Sequence, residues 1–220
     1  MASISIIVTA GGIGKRMNST LPKQFLLIRE KPILMRTIEQ FYRYDPNIQI
    51  ILTLPDEWKT FWEELLLEYD FKIPHRVVSG GEERYHSIKN ALSYCNGNVI
   101  AVHDGVRPLV DYETLKRCFG AILENDAVIP VIPINESIRK SEGGKTKAVP
   151  RSEYMIVQTP QCFQKKVLVE AYELPYHEKI TDDASLVEEA GYSIATVEGN
   201  PENIKITSQM DLKYAELFMK

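Results

Sequence analysis

The stretch Ile6–Phe25, which reads IIVTAGGIGKRMNSTLPKQF, decides how the chain folds. It opens with a run of Ile and Val, and such a run is typical of a strand buried on both faces of a parallel sheet. The run breaks at Ala10–Gly14, where missing side chains let backbone N–H groups approach a ligand closely. The stretch therefore predicts a strand that ends in a ligand-binding loop.

Three cationic residues follow the first glycines, and they indicate the charge of that ligand. Lys15 and Arg16 come directly after Gly14, and Lys23 stands in the segment Pro22–Phe25. The proline stiffens the returning chain, so that Lys23 can be held facing the glycines. Because exposed amides and a cluster of fixed positive charge are what a polyphosphate needs, we predict a nucleoside triphosphate site.

Two better-known phosphate motifs do not fit this loop. Met17 occupies the third glycine position of the dinucleotide fingerprint G-x-G-x-x-G, and no acidic residue ends the second predicted strand, which disfavours a Rossmann dehydrogenase. The P-loop pattern G-x-x-x-x-G-K-[ST] is missing from the sequence. A glycine-rich turn with a solvated basic flank remains the plain alternative.

The composition limits the class of protein. The chain has 220 residues, 44% hydrophobic and 25% charged, which predicts a globular protein with one domain over residues 1–220. Its formal net charge of −4 argues against binding to nucleic acid or to an anionic membrane. The three cysteines include no C-x-x-C pair, and the four histidines show no metal-ligand spacing. Since the sequence shows no secretory or membrane-spanning segment, we expect a cytoplasmic protein.

Beyond the loop, predicted strands alternate with predicted amphipathic helices. The strands are expected at residues 48–54, 76–79, 98–103 and 127–132. This alternation predicts an α/β fold with a Rossmann-like, mainly parallel sheet and helices on both faces. Ligands bind such sheets beyond the carboxyl ends of the strands. One site is therefore expected where three post-strand segments meet, namely residues 11–14, 80–84 and 104–107.

The alternation stops at about residues 134–156. There two short polar runs flank Gly143-Gly144, a pattern that predicts a hairpin with a tight turn. An isolated two-stranded ribbon is marginally stable in water, so it should pack on something, and a second copy of the chain is the simplest candidate. We therefore expect a protruding β-arm used for dimerisation. A loose surface insertion is the alternative.

The string AGGIGKRMNSTLPKQFL resembles the signature of the sugar-phosphate nucleotidyltransferases. Within that group the chain is most similar to the cytidylyltransferases that act on 2-C-methyl-D-erythritol 4-phosphate in non-mevalonate isoprenoid synthesis. Six later segments resemble that family in the same order along nearly the whole chain: GGEERYHSI, HDGVRP, VPR, QTPQ, TDDAS and NIKIT. The resemblance implies transfer of CMP from CTP to the acceptor with release of pyrophosphate, a Mg²⁺ ion and a homodimer formed through the arm.

The resemblance also implies a role for individual residues. The catalytic cations would be Arg16, Lys23 and Lys205. The CTP site would comprise Ala10, Gly11, Gly12, Gly14, Lys15, Gly81, Arg84, Ser87 and Asp104. The acceptor phosphate would meet Asp104, Arg107, Thr159 and Lys205, together with Ser137 and Arg151 from the partner's arm. Asp104 would also lie near the Mg²⁺, in direct or indirect contact.

Two positions depart from the family pattern, and the second departure leaves the identity of the acceptor open. Ser137 stands where threonine is usual, and Gly105-Val106 stand where two alanines are usual. A cytidylyltransferase for D-ribulose 5-phosphate shares the nucleotide loop and is the nearest alternative. A non-catalytic nucleotide-binding regulatory protein is the alternative from another class. The TDDAS segment, residues 181–185, is interpreted mainly as a helix cap.

Overall fold

The computed structural model describes residues 3–12 and 21–219. In those ranges the strands are β1 (Ile4–Thr9), β2 (Leu27–Ile28), β3 (Lys31–Pro32), β4 (Gln49–Leu54), β5 (Arg76–Ser79), β6 (Val99–Asp104), β7 (Ala127–Pro133), β8 (Arg139–Glu142), β9 (Lys145–Ala148), β10 (Met155–Val157), β11 (Gln161–Gln164) and β12 (Ala195–Glu198). The α-helices are α1 (Ile33–Tyr44), α2 (Lys59–Glu68), α3 (Arg84–Leu92), α4 (Tyr112–Ala121), α5 (Lys165–Ala171), α6 (Asp183–Glu189) and α7 (Gln209–Phe218).

Strand β1 lies inside the main sheet because apolar side chains project from both of its faces. Ile6, Ile7 and Val8 are fully buried, and β1 pairs in parallel with both β4 and β6. β4 in turn pairs in parallel with β5. Among the described residues the sheet has the order β10-β7-β11-β6-β1-β4-β5, with β12 beside β7. The predicted α/β fold with a mainly parallel sheet is confirmed.

Helices cover both faces of this sheet, because its central strand carries apolar side chains on both faces. Successive side chains of a strand point to opposite faces. Ile6 and Val8 accordingly pack in one hydrophobic cluster with α1, α2 and α4, whereas Ile7 packs in a second cluster with α3, α5 and α6. Both faces of β1 are therefore buried, and its carboxyl end is the part that can contact a ligand.

Strand β11 escapes prediction from the sequence. It runs antiparallel to β6 and to β7 and separates these two strands. Its four residues begin and end with glutamine, so no hydrophobic alternation marks it. This insertion shapes the site, since Thr159, two residues before β11, is brought beside the carboxyl end of β6.

The predicted hairpin is present as the ribbon β8–β9, and we call residues 134–156 the arm. Gly143 and Gly144 form its turn with φ of 55° and 78°, the left-handed conformation that a two-residue hairpin turn needs. All eight strand residues of the ribbon are exposed. At the end of the arm, β10 returns to the sheet and pairs antiparallel with β7.

Candidate active site

A cavity of about 310 Å³ lies at the carboxyl ends of β1 and β6, where the sequence predicts ligand binding. Nine of the predicted site residues line it: Ala10, Gly11, Gly12, Lys23, Gly81, Arg84, Ser87, Asp104 and Lys205. Gly14, Lys15 and Arg16 lie outside the described residues. The cavity thus joins residues from the beginning, the middle and the end of the chain. We call it the nucleotide cavity.

Lys23 lies against the glycine segment, where the proline argument predicts it. A β-carbon added to Gly12 would lie 3.6 Å from Cε of Lys23. The segment Lys23–Phe25 forms a single 3₁₀ turn directly after Pro22. Phe25 anchors this turn, because its side chain is buried and contacts the ring of Trp58. A buried aromatic anchor therefore fixes the cation at the cavity wall.

Gln24 is a site residue that the motif alone does not single out. Its side chain is buried, and its Nε2 donates a hydrogen bond of 2.7 Å to the backbone oxygen of Ala10. The N–H of Ala10 donates to the backbone oxygen of Thr53 on β4. Gln24 thereby ties the 3₁₀ turn to the end of β1. The signal in the sequence was its position directly after Lys23 in the segment Pro22–Phe25.

Residues 81–83 form another part of the cavity wall. The N–H of Gly81 donates to Oγ of Ser87 at 3.0 Å, and the Ser87 hydroxyl donates to the backbone oxygen of Glu83 at 3.1 Å. A β-carbon on Gly81 would collide with Cβ of His86, so only glycine fits this close return of the chain. One lone pair of the Ser87 oxygen stays available to accept a hydrogen from a ligand.

Asp104 lies at the carboxyl end of β6 between two cations. Its Oδ2 accepts from Nε of Arg107 at 2.9 Å, and its Oδ1 lies 3.3 Å from Nζ of Lys205. Burial alone would raise the pKa of the Asp104 carboxyl, but Lys205, Arg107 and Arg84 together hold that pKa well below its usual range. Asp104 is therefore a carboxylate at neutral pH.

Lys205 reaches the site from the far end of the chain because the segment 203–206 packs on the segment after β6. The N–H of Ile206 donates to the backbone oxygen of Val106, and Nη1 of Arg107 donates to the backbone oxygen of Asn203 at 2.8 Å. No periodicity in the sequence predicts this placement, since 101 residues separate Lys205 from Asp104. Only the family resemblance indicates it.

A second cavity, of about 300 Å³, adjoins the first and is lined by Arg107, Thr159, Gln161 and Asp182. Arg84, Asp104 and Lys205 line both cavities. We call the second cavity the acceptor cleft. Apart from Ser137 and Arg151, the described residues predicted for the two substrates therefore line two adjoining spaces with charged groups at their boundary.

His103 is a buried residue that orders the acceptor cleft and that sequence reasoning misses. Its Nε2 lies 3.0 Å from the backbone oxygen of Arg107, and its Nδ1 lies 2.9 Å from Oγ1 of Thr159. A carbonyl only accepts, so Nε2 carries the hydrogen and Nδ1 accepts from the Thr159 hydroxyl. Burial lowers the pKa of His103 to about 4, which keeps the ring neutral. The Thr159 oxygen also accepts from the N–H of Asp104 at 3.2 Å.

Two predicted residues stand apart from both cavities. Ser137 and Arg151 belong to the arm and are exposed. Neither residue lines the nucleotide cavity or the acceptor cleft. Nη1 of Arg151 donates to the backbone oxygen of Asn135 within the arm. Their contribution to the site of a partner subunit stays a prediction.

The described residues contain no group of three or more His, Cys, Asp or Glu side chains that could hold a metal ion by themselves. The carboxylate of Asp104 nevertheless fits Mg²⁺, which is typically bound through one or two carboxylates with phosphate oxygens and water as the remaining ligands. The three cysteines are buried and unpaired. In ranges 3–12 and 21–219, no helix is long and apolar enough to cross a membrane.

A doubly covered parallel sheet with a glycine segment, a fixed lysine and a cation-flanked carboxylate at one edge defines an α/β enzyme of the nucleotidyltransferase class. Residues 4–220 match the family 2-C-methyl-D-erythritol 4-phosphate cytidylyltransferase, also designated IspD. The chain belongs to that family.

Individual relatives agree over nearly the full length. The chain is 49% identical to the 2-C-methyl-D-erythritol 4-phosphate cytidylyltransferase of Bacteroides fragilis, over 97% of this chain and 98% of that protein. Among solved structures, 4-diphosphocytidyl-2C-methyl-D-erythritol synthase of Anaerococcus prevotii superposes with a TM-score of 0.85 at 28% identity, covering 99% of this chain and 96% of that one. The Francisella tularensis enzyme superposes with a TM-score of 0.83 at 28% identity, covering 99% of this chain and 100% of that one.

Proposed function

We propose that the protein transfers CMP from CTP to 2-C-methyl-D-erythritol 4-phosphate and releases pyrophosphate, a step of non-mevalonate isoprenoid biosynthesis. The observation that carries this proposal is the ionised Asp104 with its partners Arg107 and Lys205 at the boundary of two adjoining cavities. CTP fills the nucleotide cavity, and the phosphate of the acceptor enters the cleft and meets the α-phosphate at the boundary.

Cytosine recognition rests on Ala10, Gly81 and Ser87. The remaining lone pair of the Ser87 oxygen accepts a hydrogen from the amino group of cytosine. Uracil presents a carbonyl oxygen at that position, which would leave two acceptors facing each other. Such a mismatch of buried polar groups costs about 1–3 kcal/mol, so a neutral hydroxyl is enough for discrimination.

The transfer needs no strong general base because the attacking phosphate oxygen is already anionic. That oxygen forms a bond to the α-phosphorus of CTP, and the bond from this phosphorus to the bridging oxygen breaks. Pyrophosphate leaves with the electron pair, and no net oxidation occurs. The barrier is the meeting of two polyanions, and fixed positive charge lowers it. Lys23 and Lys205 supply that charge from the described residues, with Arg16 and Lys15 as predicted additions.

The acceptor phosphate meets Arg107 and Lys205 in the cleft. The planar fork of Arg107 suits two phosphate oxygens at once. Thr159 has its hydroxyl hydrogen directed at His103, so its contribution in this geometry is to fix the backbone amide of Asp104. Direct donation from Thr159 to a phosphate would require that hydroxyl to turn.

A Mg²⁺ ion would be held by Asp104 together with phosphate oxygens of CTP. When bound, the ion neutralises charge on the phosphates and orients them. Asp104 is suited to this role because its carboxylate is ionised and lies at the boundary of both cavities.

We further infer that residues 1–220 work as one nucleotidyltransferase domain and form a homodimer through the arm, with Ser137 and Arg151 reaching the partner's acceptor cleft. Support comes from the apolar strand β10 at the base of the arm. Met155, Ile156 and Val157 expose 56%, 45% and 38% of their surface, which is unusual for three consecutive strand residues.

The test of the function is pyrophosphate release by the purified protein with CTP and Mg²⁺. Methylerythritol phosphate and D-ribulose 5-phosphate are offered in parallel, because the nucleotide loop is compatible with both. We expect release with methylerythritol phosphate alone. Release with ribulose 5-phosphate alone would refute the acceptor, and silence with both despite CTP binding would favour a regulatory protein.

The shared site has a separate test by subunit mixing. Lys23→Ala and Arg151→Ala proteins are each expected to be impaired, the first at its own site and the second at its partner's. A mixed dimer regains one intact site if Arg151 crosses the interface. No recovery after demonstrated subunit exchange would refute the shared site and would leave the reaction itself untouched.

A further inference from the structure

Arg84 lies at the boundary of the nucleotide cavity and the acceptor cleft and lines both. It is the first residue of α3, and its side chain is 30% exposed. The guanidinium is thus partly withdrawn from water at the place where two phosphate groups have to meet. A flexible arginine in such a position is useful only if something fixes its direction.

The group that fixes it is Asp183, the first residue of α6. The carboxylate of Asp183 is fully buried, and its Oδ2 accepts a hydrogen bond of 2.5 Å from Nη2 of Arg84. Its Oδ1 accepts a second bond of 2.5 Å from the hydroxyl of Tyr172. Because a buried charge is tolerated only when it is paired and hydrogen-bonded, these two contacts are what keep Asp183 in place.

The surroundings of Asp183 are rigid as well. Tyr172 is buried and stacks on Tyr85 with ring centroids 4.8 Å apart. The N–H groups of Asp183 and Ala184 both donate to Oε1 of Gln161, which ties the start of α6 to β11. The carboxylate therefore has little freedom to follow Arg84 if the arginine moves.

The charge states match this geometry. Burial alone would lower the pKa of Arg84, but the carboxylates of Asp183 and Asp104 raise it above its ordinary value. Burial and the neighbouring Asp183 raise the pKa of Tyr172 well above its usual range, so its hydroxyl stays a donor. Arg84, Asp183 and Tyr172 therefore form a hydrogen-bonded series of a cation, a carboxylate and a neutral hydroxyl.

We propose that Asp183 is a positioning residue for the transfer reaction, acting through Arg84. It holds one N–H of the guanidinium, so that others of the five N–H donors face the phosphate group at the boundary of the two cavities. The neighbouring Asp182 has a different task, since it caps α6 by accepting from the N–H of Ser185 at 3.0 Å. The inference rests on the proposed function because its readout is turnover.

The experiment is a double-mutant cycle of Arg84→Ala, Asp183→Asn and the double variant, with turnover and CTP affinity measured for each. Asp183→Asn keeps the size of the side chain and removes its charge. We expect kcat to fall about 10–100-fold, the scale of a misplaced binding group, while CTP affinity changes little. The double variant should be no slower than Arg84→Ala, because Asp183 has no role once Arg84 is gone.

Ser185→Ala is the matched control, because Ser185 completes the capping box of the same helix by accepting from the N–H of Asp182, and it lines neither the nucleotide cavity nor the acceptor cleft. It should lower thermal stability and combine additively with Arg84→Ala in kcat.

If Asp183→Asn fails to fold, Tyr172→Phe takes its place, because it keeps the charge of Asp183 and removes one of its hydrogen bonds. Tyr172→Phe should lower kcat less than Asp183→Asn does, and its effect should likewise disappear when Arg84→Ala is present.

Additive losses for Asp183→Asn and Arg84→Ala, or a wild-type kcat in Asp183→Asn, would overturn the proposal. So would a variant that loses only thermal stability. A wild-type protein without pyrophosphate release would instead refute the proposed function, so the two failures are distinguishable.

Discussion

Lowering the pH should destabilise the protein through His103, a fully buried imidazole beside the acceptor cleft. Burial lowers the pKa of His103 to about 4, from an ordinary value of 6.5. Between these two values the unfolded chain binds a proton that the folded chain does not, so the free energy of unfolding falls as the pH falls. Each pH unit in that window removes about 1.4 kcal/mol, which gives a loss of about 2 kcal/mol between pH 6.5 and 5.

The assay is urea denaturation of the wild type and of His103→Gln at neutral pH and near pH 5. Glutamine is polar and cannot titrate in this range, so the variant should lose about 2 kcal/mol less than the wild type on acidification. His75, whose pKa burial also lowers, contributes equally to both proteins and cancels in the difference. His177, whose side chain is 39% exposed, provides a control, since His177→Gln should keep the steep dependence of the wild type. Equal losses in the wild type and His103→Gln would refute the reasoning.

Three further substitutions test separate parts of the structure. Lys23→Ala should lower kcat about 10²–10³-fold in pyrophosphate release, because a fixed cation beside the phosphates is lost, and wild-type turnover would remove Lys23 from the mechanism. Gly97→Ala should lower the free energy of unfolding by about 1–3 kcal/mol, since the new β-carbon would lie 2.6 Å from the backbone nitrogen of Ser5, and unchanged urea denaturation would contradict this packing. Asp111→Ala should lower the free energy of unfolding by about 1 kcal/mol, because it removes the cap of α4, a side-chain oxygen that accepts from the N–H of Thr114 at 2.7 Å. Glu113→Ala in the same turn is the matched control and should lower the free energy of unfolding by less.

The part of the site that could be predicted from the sequence lies where local pattern and chemistry coincide. An apolar strand, a glycine segment and a proline before Lys23 together indicate a phosphate-binding loop, and the structure places Lys23 against Gly12. Asp111 and Asp182 are recognisable as caps for the same reason, because a cap depends on residues within one helical turn.

The residues that escape prediction are those whose function depends on a distant partner. His103 reads as one more residue of a strand until Thr159 and the Arg107 backbone are seen on its two nitrogens. Gln24 reads as a surface amide until its bond to Ala10 is seen. Asp183 follows a capping aspartate of the same type, and only its burial against Arg84 separates the two roles.

The sequence by itself determined the α/β class and the positions of the main parallel strands along the chain, because the hydrophobic patterns and the glycine and proline signals that mark them act over a few residues. The tertiary structure decided the insertion of β11 between β6 and β7, the approach of Lys205 to Asp104 across 101 residues, and the burial of Asp183 beneath Arg84. These features arise from packing between segments that are remote in the chain. Their free energy depends on burial and pairing, which no local pattern contains.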